Sequence, residues 1–185
     1  SGDSVLEAAT IGARMLQFSY KPMEVHRQEI DTYAAEYRRI HDTAPPVPVF
    51  IDLAVCDSDP VRAEENSRKY ISDYFRSVVH HYEMLGEHFT DAKGYEEYGE
   101  TAAAMREAGM EALLEGYLAS QITGTPQQML DRIETRRSIT GDFDMMFCFR
   151  FGGIEQVAAL RSIETFSKEV MPELKNMGKS KTLAA

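Results

Sequence analysis

The sequence has no tryptophan, only two cysteines, and no apolar run of the length that a bilayer-spanning helix requires. Two cysteines, Cys56 and Cys148, are too few for a disulfide framework. Each falls in a segment of strand character, so buried free thiols are the favoured reading and a disulfide or redox pair the minor one. Positive charge is also short: 20 Lys and Arg stand against 30 Asp and Glu, for a net charge of −10, and the basic residues gather in no stripe. Nucleic-acid binding needs a positive surface to neutralise phosphates and is thereby disfavoured. No basic and apolar leader stands at the amino terminus, so a cytoplasmic protein with no membrane segment is expected. Internal repeats and low-complexity tracts are missing too. What remains is 185 residues with 43% hydrophobic content, ordinary for one globular domain.

The most informative stretch runs from Gln121 to Leu174. Thr125 suits an N-cap, Pro126 suits the first helical position because its missing N–H would be unpaired there, and Gln128 completes a capping box. Met129, Leu130 and Ile133 then give an apolar stripe at helical spacing, stopped near Gly141. A strand follows. Phe143, Met145, Phe147, Phe149 and Phe151 alternate with Asp144, Met146, Cys148 and Arg150, the period of two that a pleated backbone imposes. One uniformly apolar face and one mixed face predict a helix layer outside and a mixed interior, as in a parallel α/β sheet.

The Gly124-Thr125-Pro126 helix start, the strand ending in Gly152-Gly153, and the closing helix with Ser162-Ile163-x-x-Phe166 and Glu169-Val170-Met171-Pro172 resemble the carboxyl end of the luciferase-like, flavin-dependent monooxygenases. The resemblance implies a (β/α)8 TIM barrel and oxidation of a small organic substrate with O2 and reduced FMN, the flavin coming from a separate reductase. Relatives on the same barrel use the deazaflavin F420 instead, and a noncatalytic flavin-binding or interaction subunit is the rival reading. A complete barrel needs about 250 residues. The chain opens on Ser1 and is shorter, so a fragment is expected: about three parallel strands with flanking helices, covering residues 1–174 and followed by a tail at 175–185. Bare sheet edges predict pairing with other chains, hence a homo- or hetero-oligomer. By the resemblance, the family's catalytic residues lie in the amino-terminal half.

From the start, Ser1-Gly2-Asp3-Ser4 reads as the turn before a helix, with Glu7 three residues after Ser4. Hydroxyls and free N–H groups at a helix N-terminus favour an anion. The resemblance makes Ser1, Gly2 and Ser4 candidates for a flavin phosphate; the plainer reading is a capping turn, and Asp3 would repel a phosphate unless turned away. Ala13 to Tyr20 is the first strand, putting Gln17, Ser19, Tyr20 and Lys21 at its carboxyl end, where barrels place their sites. A helix from Pro22 carries Ile30, Tyr33, Tyr37 and Ile40 at helical spacing.

Val47 to Cys56 is the second strand, with Asp52 in its middle on the face of Cys56; a buried partner is the preferred account of that carboxylate. Asp57-Ser58-Asp59-Pro60 opens a helix whose expected stripe is Ile71, Tyr74, Phe75, Val78 and Tyr82. Gly86 to Gly99 reads as a loop and Thr101 to Ser120 as a further helix, together a helical insertion around 86–120 that suits a lid or an oligomer contact. His80, His81, Glu83 and His88 are close in sequence, but adjacent histidines point to different helix faces and no His-Glu-x-x-His is present, so no metal is expected. Arg150 and Gly152 are the remaining candidates near flavin or substrate, with Arg150 equally suited to pairing an acidic side chain.

Overall fold

The computed structural model describes residues 2–83, 107 and 109–182. The expected loop at Gly86–Gly99, His88 and the first part of the expected helix from Thr101 lie outside the described residues, as does Ser1. The chain alternates helix and strand: α1 (Gly2–Thr10), β1 (Leu16–Phe18), α2 (Met23–His41), β2 (Val49–Leu53), α3 (Pro60–His81), α4 (Met110–Ser120), α5 (Pro126–Thr140), β3 (Asp144–Cys148), α6 (Gln156–Thr165), a π-helical turn at Phe166–Val170, and α7 (Met171–Thr182).

The three strands form one parallel sheet in the order β1-β2-β3, as the apolar alternation and helical crossovers require. Register places Leu16 beside Val49 and Phe18 beside Ile51; Val49 pairs with Asp144, and Ile51 with Met146. The intervening positions, Gln17, Phe50 and Met145, lie on the opposite face together with Asp52 and Phe147.

That second face carries the helix layer. Ala54, Cys56, Ile122, Met129, Ile133, Phe166 and Val170 are buried together, with Phe143, Met145, Phe147 and Phe149 packed against them. The apolar face predicted for β3 therefore meets α5 and the π-helical turn. Phe151 departs from it and joins Leu53, Val55, Tyr70, Ile71, Ile154 and Ala159 in a separate cluster. The cause is local: β3 ends at Cys148, and Gly152 (φ 51°) and Gly153 (φ 78°) turn the chain through backbone conformations that side chains rarely adopt.

Local signals otherwise act as expected. Thr125 and Gln128 form the full capping box with Pro126 at the start of α5, and Gly141 (φ 82°) ends the helix. Asp59 caps α3 by accepting from the N–H groups of Val61 and Arg62. The expected stripe on α3 is displaced: Ile71 is buried, Tyr74, Phe75 and Val78 are half-buried, and Tyr82 is exposed, whereas Ala63, Ser67 and Tyr70 carry the buried face. Packing of Tyr70 and Ile71 against Leu53, Val55, Phe151 and Ile154 accompanies that rotation of the helix. On α2, Tyr33 is buried with Ile30 and Tyr37 packed beside it, while Ile40 faces water. Lys175 to Thr182 continue α7.

Candidate functional site

In a parallel sheet the carboxyl ends of the strands converge, and here they lead into Ser19–Lys21 after β1, Ala54–Ser58 after β2 and Phe149–Gly153 after β3. At the end of β1, three of the four candidates are engaged by structural partners. Gln17 Nε2 donates to Glu29 Oε2 at 2.9 Å and Lys21 Nζ to Glu29 Oε1 at 2.6 Å. Burial alone would lower the Lys21 pKa, but the hydrogen bond and charge of Glu29, with Tyr20 alongside, carry it above its ordinary value. Ser19 is buried and its hydroxyl donates to Asp52 Oδ1 at 2.6 Å. Tyr20 remains 55% exposed. Behind it lies His26, fully buried, edge-on to Tyr20 and to Phe50; burial pushes its pKa down to about 4.

Asp52 has the partner its position called for. Both oxygens meet the guanidinium of Arg136, at 2.8 Å and 2.6 Å, and the remaining acceptor positions take Ser19 Oγ and the Ile122 N–H at 2.9 Å. Arg136 also donates to the Ser120 carbonyl at 2.8 Å and stacks over the Phe50 ring. Both charges are buried and paired, so this carboxylate is a structural centre. The sequence could not name Arg136, which is 84 positions away.

Beyond β2, Asp57 is buried and holds Arg62 by two hydrogen bonds, at 2.6 Å and 2.7 Å; that pairing keeps its carboxyl below the usual range. Ser58 Oγ donates to Glu169 in the π-helical turn at 3.1 Å, and the Cys56 N–H donates to Ser162 Oγ at 3.1 Å, so this turn is fastened to the closing helix. Both cysteines are free thiols; burial pushes Cys56 up to about 12, which leaves it inert. His80 and His81 are exposed at the end of α3, and no group of three metal-ligating side chains occurs among the described residues.

Of the flavin candidates, Gly2 and Ser4 are exposed in the first turn of α1, which begins earlier than the capping reading expects, so that Ser4 lies inside the helix rather than ahead of it. Arg150 is exposed just past β3 and makes no ion pair among the described residues. Gly152 has a packing reason of its own: a Cβ there would stand 2.7 Å from the Tyr70 carbonyl oxygen. Arg150 lies just past the carboxyl end of β3, whereas α1 precedes β1 in the chain and packs against α2. The sheet face opposite the helix layer is apolar and open, with Leu16, Phe18 and Met146 each more than half exposed. A flavin needs anion contacts for its phosphate and an apolar surface for its ring. The residues present fit both needs in part: N–H groups and a hydroxyl in the first turn of α1, a guanidinium past β3, and apolar side chains on the open sheet face.

With this geometry, residues 1–142 match the luciferase-like monooxygenase family, and the chain belongs to that family. The match reaches the end of α5 and stops before β3, although β3 and the closing helix carry much of the resemblance seen in the sequence. Solved structures extend the likeness over the rest. The monooxygenase RslO1 from Streptomyces bottropensis superposes with a TM-score of 0.65 at 15% identity, covering 94% of this chain and 46% of that one. The oxygenating constituent of 3,6-diketocamphane monooxygenase from Pseudomonas putida, a type II Baeyer-Villiger enzyme in complex with FMN, gives 0.63 at 13% identity, covering 91% and 45%. The coenzyme F420 dependent tetrahydromethanopterin reductase from Methanopyrus kandleri gives 0.54 at 19% identity, covering 94% and 48%. No curated protein matches the chain at a significant level. The chain thus spans just under half the length of these structures, and its fold is part of a (β/α)8 barrel. No helix among the described residues is long and apolar enough to cross a membrane.

Proposed function

We propose that these residues are the carboxyl-terminal part of a flavin-dependent monooxygenase that oxidises a small organic substrate with O2 and reduced FMN delivered by a separate reductase. The carrying observation is the family match over residues 1–142, beside an exposed Arg150 just past β3 that makes no ion pair among the described residues. Reduced FMN, when bound, supplies the electrons that activate dioxygen. In this reading Ser1, Gly2 and Ser4 meet the phosphate through hydroxyl and N–H groups. Arg150 offers a fixed positive charge to the flavin or substrate, and Gly152 shapes the turn that presents it. The open apolar face, closed by the rest of the protein, excludes water from the reacting centre. Catalytic groups of the remainder complete the site.

F420 is the alternative cofactor, supported by the likeness to an F420 dependent reductase; its phosphate would suit the same turn. Two free thiols agree with a reducing, cytoplasmic compartment, and the open sheet edges with assembly into an oligomer. Titration of the full-length protein with reduced FMN and with reduced F420, followed by admission of air and candidate substrates, separates the readings. Saturable FMN binding with oxygen-dependent product formation is expected, weakened by Arg150→Ala. Tight F420 binding without oxygen uptake would favour the deazaflavin enzyme, and flavin binding with no turnover the noncatalytic subunit.

A further inference from the structure

We propose that Ser120, Gln121 and the Asp52–Arg136 pair are positioning residues that fix the carboxyl end of β1, and with it Tyr20, at the mouth of the sheet. Ser19, the residue before Tyr20, is held from three sides. Its carbonyl oxygen accepts from Gln121 Nε2 and shares the single Ser120 hydroxyl proton with the Tyr117 carbonyl, at 2.6 Å and 2.7 Å, and its own hydroxyl donates to Asp52. The donors are themselves held. Arg136 bonds the Ser120 carbonyl at 2.8 Å, Arg132 the Gln121 carbonyl at 3.0 Å, and Gln121 Oε1 accepts from the Leu53 N–H at 2.9 Å.

The connection between α4 and α5 belongs to the β2-to-β3 crossover, yet these bonds reach past β2 to grip β1. Apolar packing would bury the same surface without choosing one arrangement, whereas directed hydrogen bonds in a dry site admit one. The boundary is sharp: Ser19 is 1% exposed and Tyr20, next in the chain, is 55% exposed. The network ends where the mouth begins, so its output is the placement of Tyr20. The consequence for cofactor affinity rests on the flavin reading above.

Hydrogen exchange of the full-length protein, wild type against the double variant S120A/Q121A and the conservative S120T, tests this. In the fold the Ser19 N–H bonds the Ile51 carbonyl and the Tyr20 N–H the Phe18 carbonyl. Exchange at Ser19–Lys21 should rise about tenfold in the double variant, as the loss of two such bonds implies. Residues 144–148 should stay unchanged, S120T should behave as wild type, and reduced FMN should bind several-fold more weakly to the double variant. Exchange that rises equally in all three strands, or not at all, would overturn the assignment by reducing the network to general stability; so would unchanged FMN affinity beside a loosened β1 end. Wild-type protein that binds neither FMN nor F420 would sink the flavin reading, while the locality of exchange would still decide the positioning role.

Discussion

The two faces of the one sheet are built to different ends. On the helix side, Phe50 and Asp52 are completely buried, the carboxylate is saturated with hydrogen bonds, and α5 and the π-helical turn pack over the sheet, leaving a cavity of about 710 Å³ beside Met145 and Phe147. On the opposite side Leu16, Phe18 and Met146 stand open. Both faces come from the same strands and the same alternation, so propensity does not separate them. The difference is that one face is packed along its length by α5 and the π-helical turn, whereas the other is covered by this chain only at Leu53 and Cys148 and elsewhere faces a barrel interior whose remaining walls belong to the part of the fold that this chain does not span. Burial separates the two kinds of residue: the most buried charges are structural, and Gly2, Ser4 and Arg150, the proposed flavin contacts, are exposed.

The comparison can be broken most forcefully at Asp52. Asp52→Ala leaves Arg136 buried and unpaired, and should cost about 3–5 kcal/mol of unfolding free energy by denaturant titration; a loss under about 1 kcal/mol would mean that water reaches the pair. Next in size is the pH dependence of His26, whose imidazole faces Glu29, Lys21, Asp52 and Arg136. Its folded pKa of about 4 lies below the ordinary 6.5, so the unfolded chain takes up a proton first as pH falls. Stability is full above about pH 6.5 and drains towards pH 4, by on the order of 3 kcal/mol. His26→Phe should flatten that slope in melts run across the range.

Gly152→Ala should cost roughly 1–3 kcal/mol, since the new methyl combines a left-handed backbone with a clash against Tyr70, and a lowered Tm would report it. The smallest effect belongs to the open face. In the 185-residue chain Phe18→Ser should change stability by no more than about 0.5 kcal/mol, because the ring is already in water. A large loss there would mean that the face is covered.

What the sequence displayed was whatever is encoded locally. Thr125, Pro126 and Gln128 announce a helix start within four residues, and the alternation around Phe50 and Phe147 announces strands and their apolar sides. That Asp52 required a partner was also legible, since a mid-strand carboxylate cannot be left dry and alone. Its partner was not, because Arg136 arrives through a crossover and looks in sequence like any solvated helix arginine. The rotation of α3 was missed for a related reason: its buried face is set by tertiary packing against Leu53, Phe151 and Ile154, not by its own apolar period. Gln17, Ser19 and Lys21 were correctly placed at a strand end, but their engagement by Glu29 and Asp52 is tertiary, and only Tyr20 is left facing outward.

Hydroxyl-radical footprinting of Met146 and Phe18 in the full-length protein, beside Tyr20 and Arg150, tests the contrast between the faces most directly. Met146 and Phe18 are expected to be protected as barrel interior, while Tyr20 and Arg150 stay reactive until flavin is added. Met146 and Phe18 oxidised as readily as free side chains would contradict it.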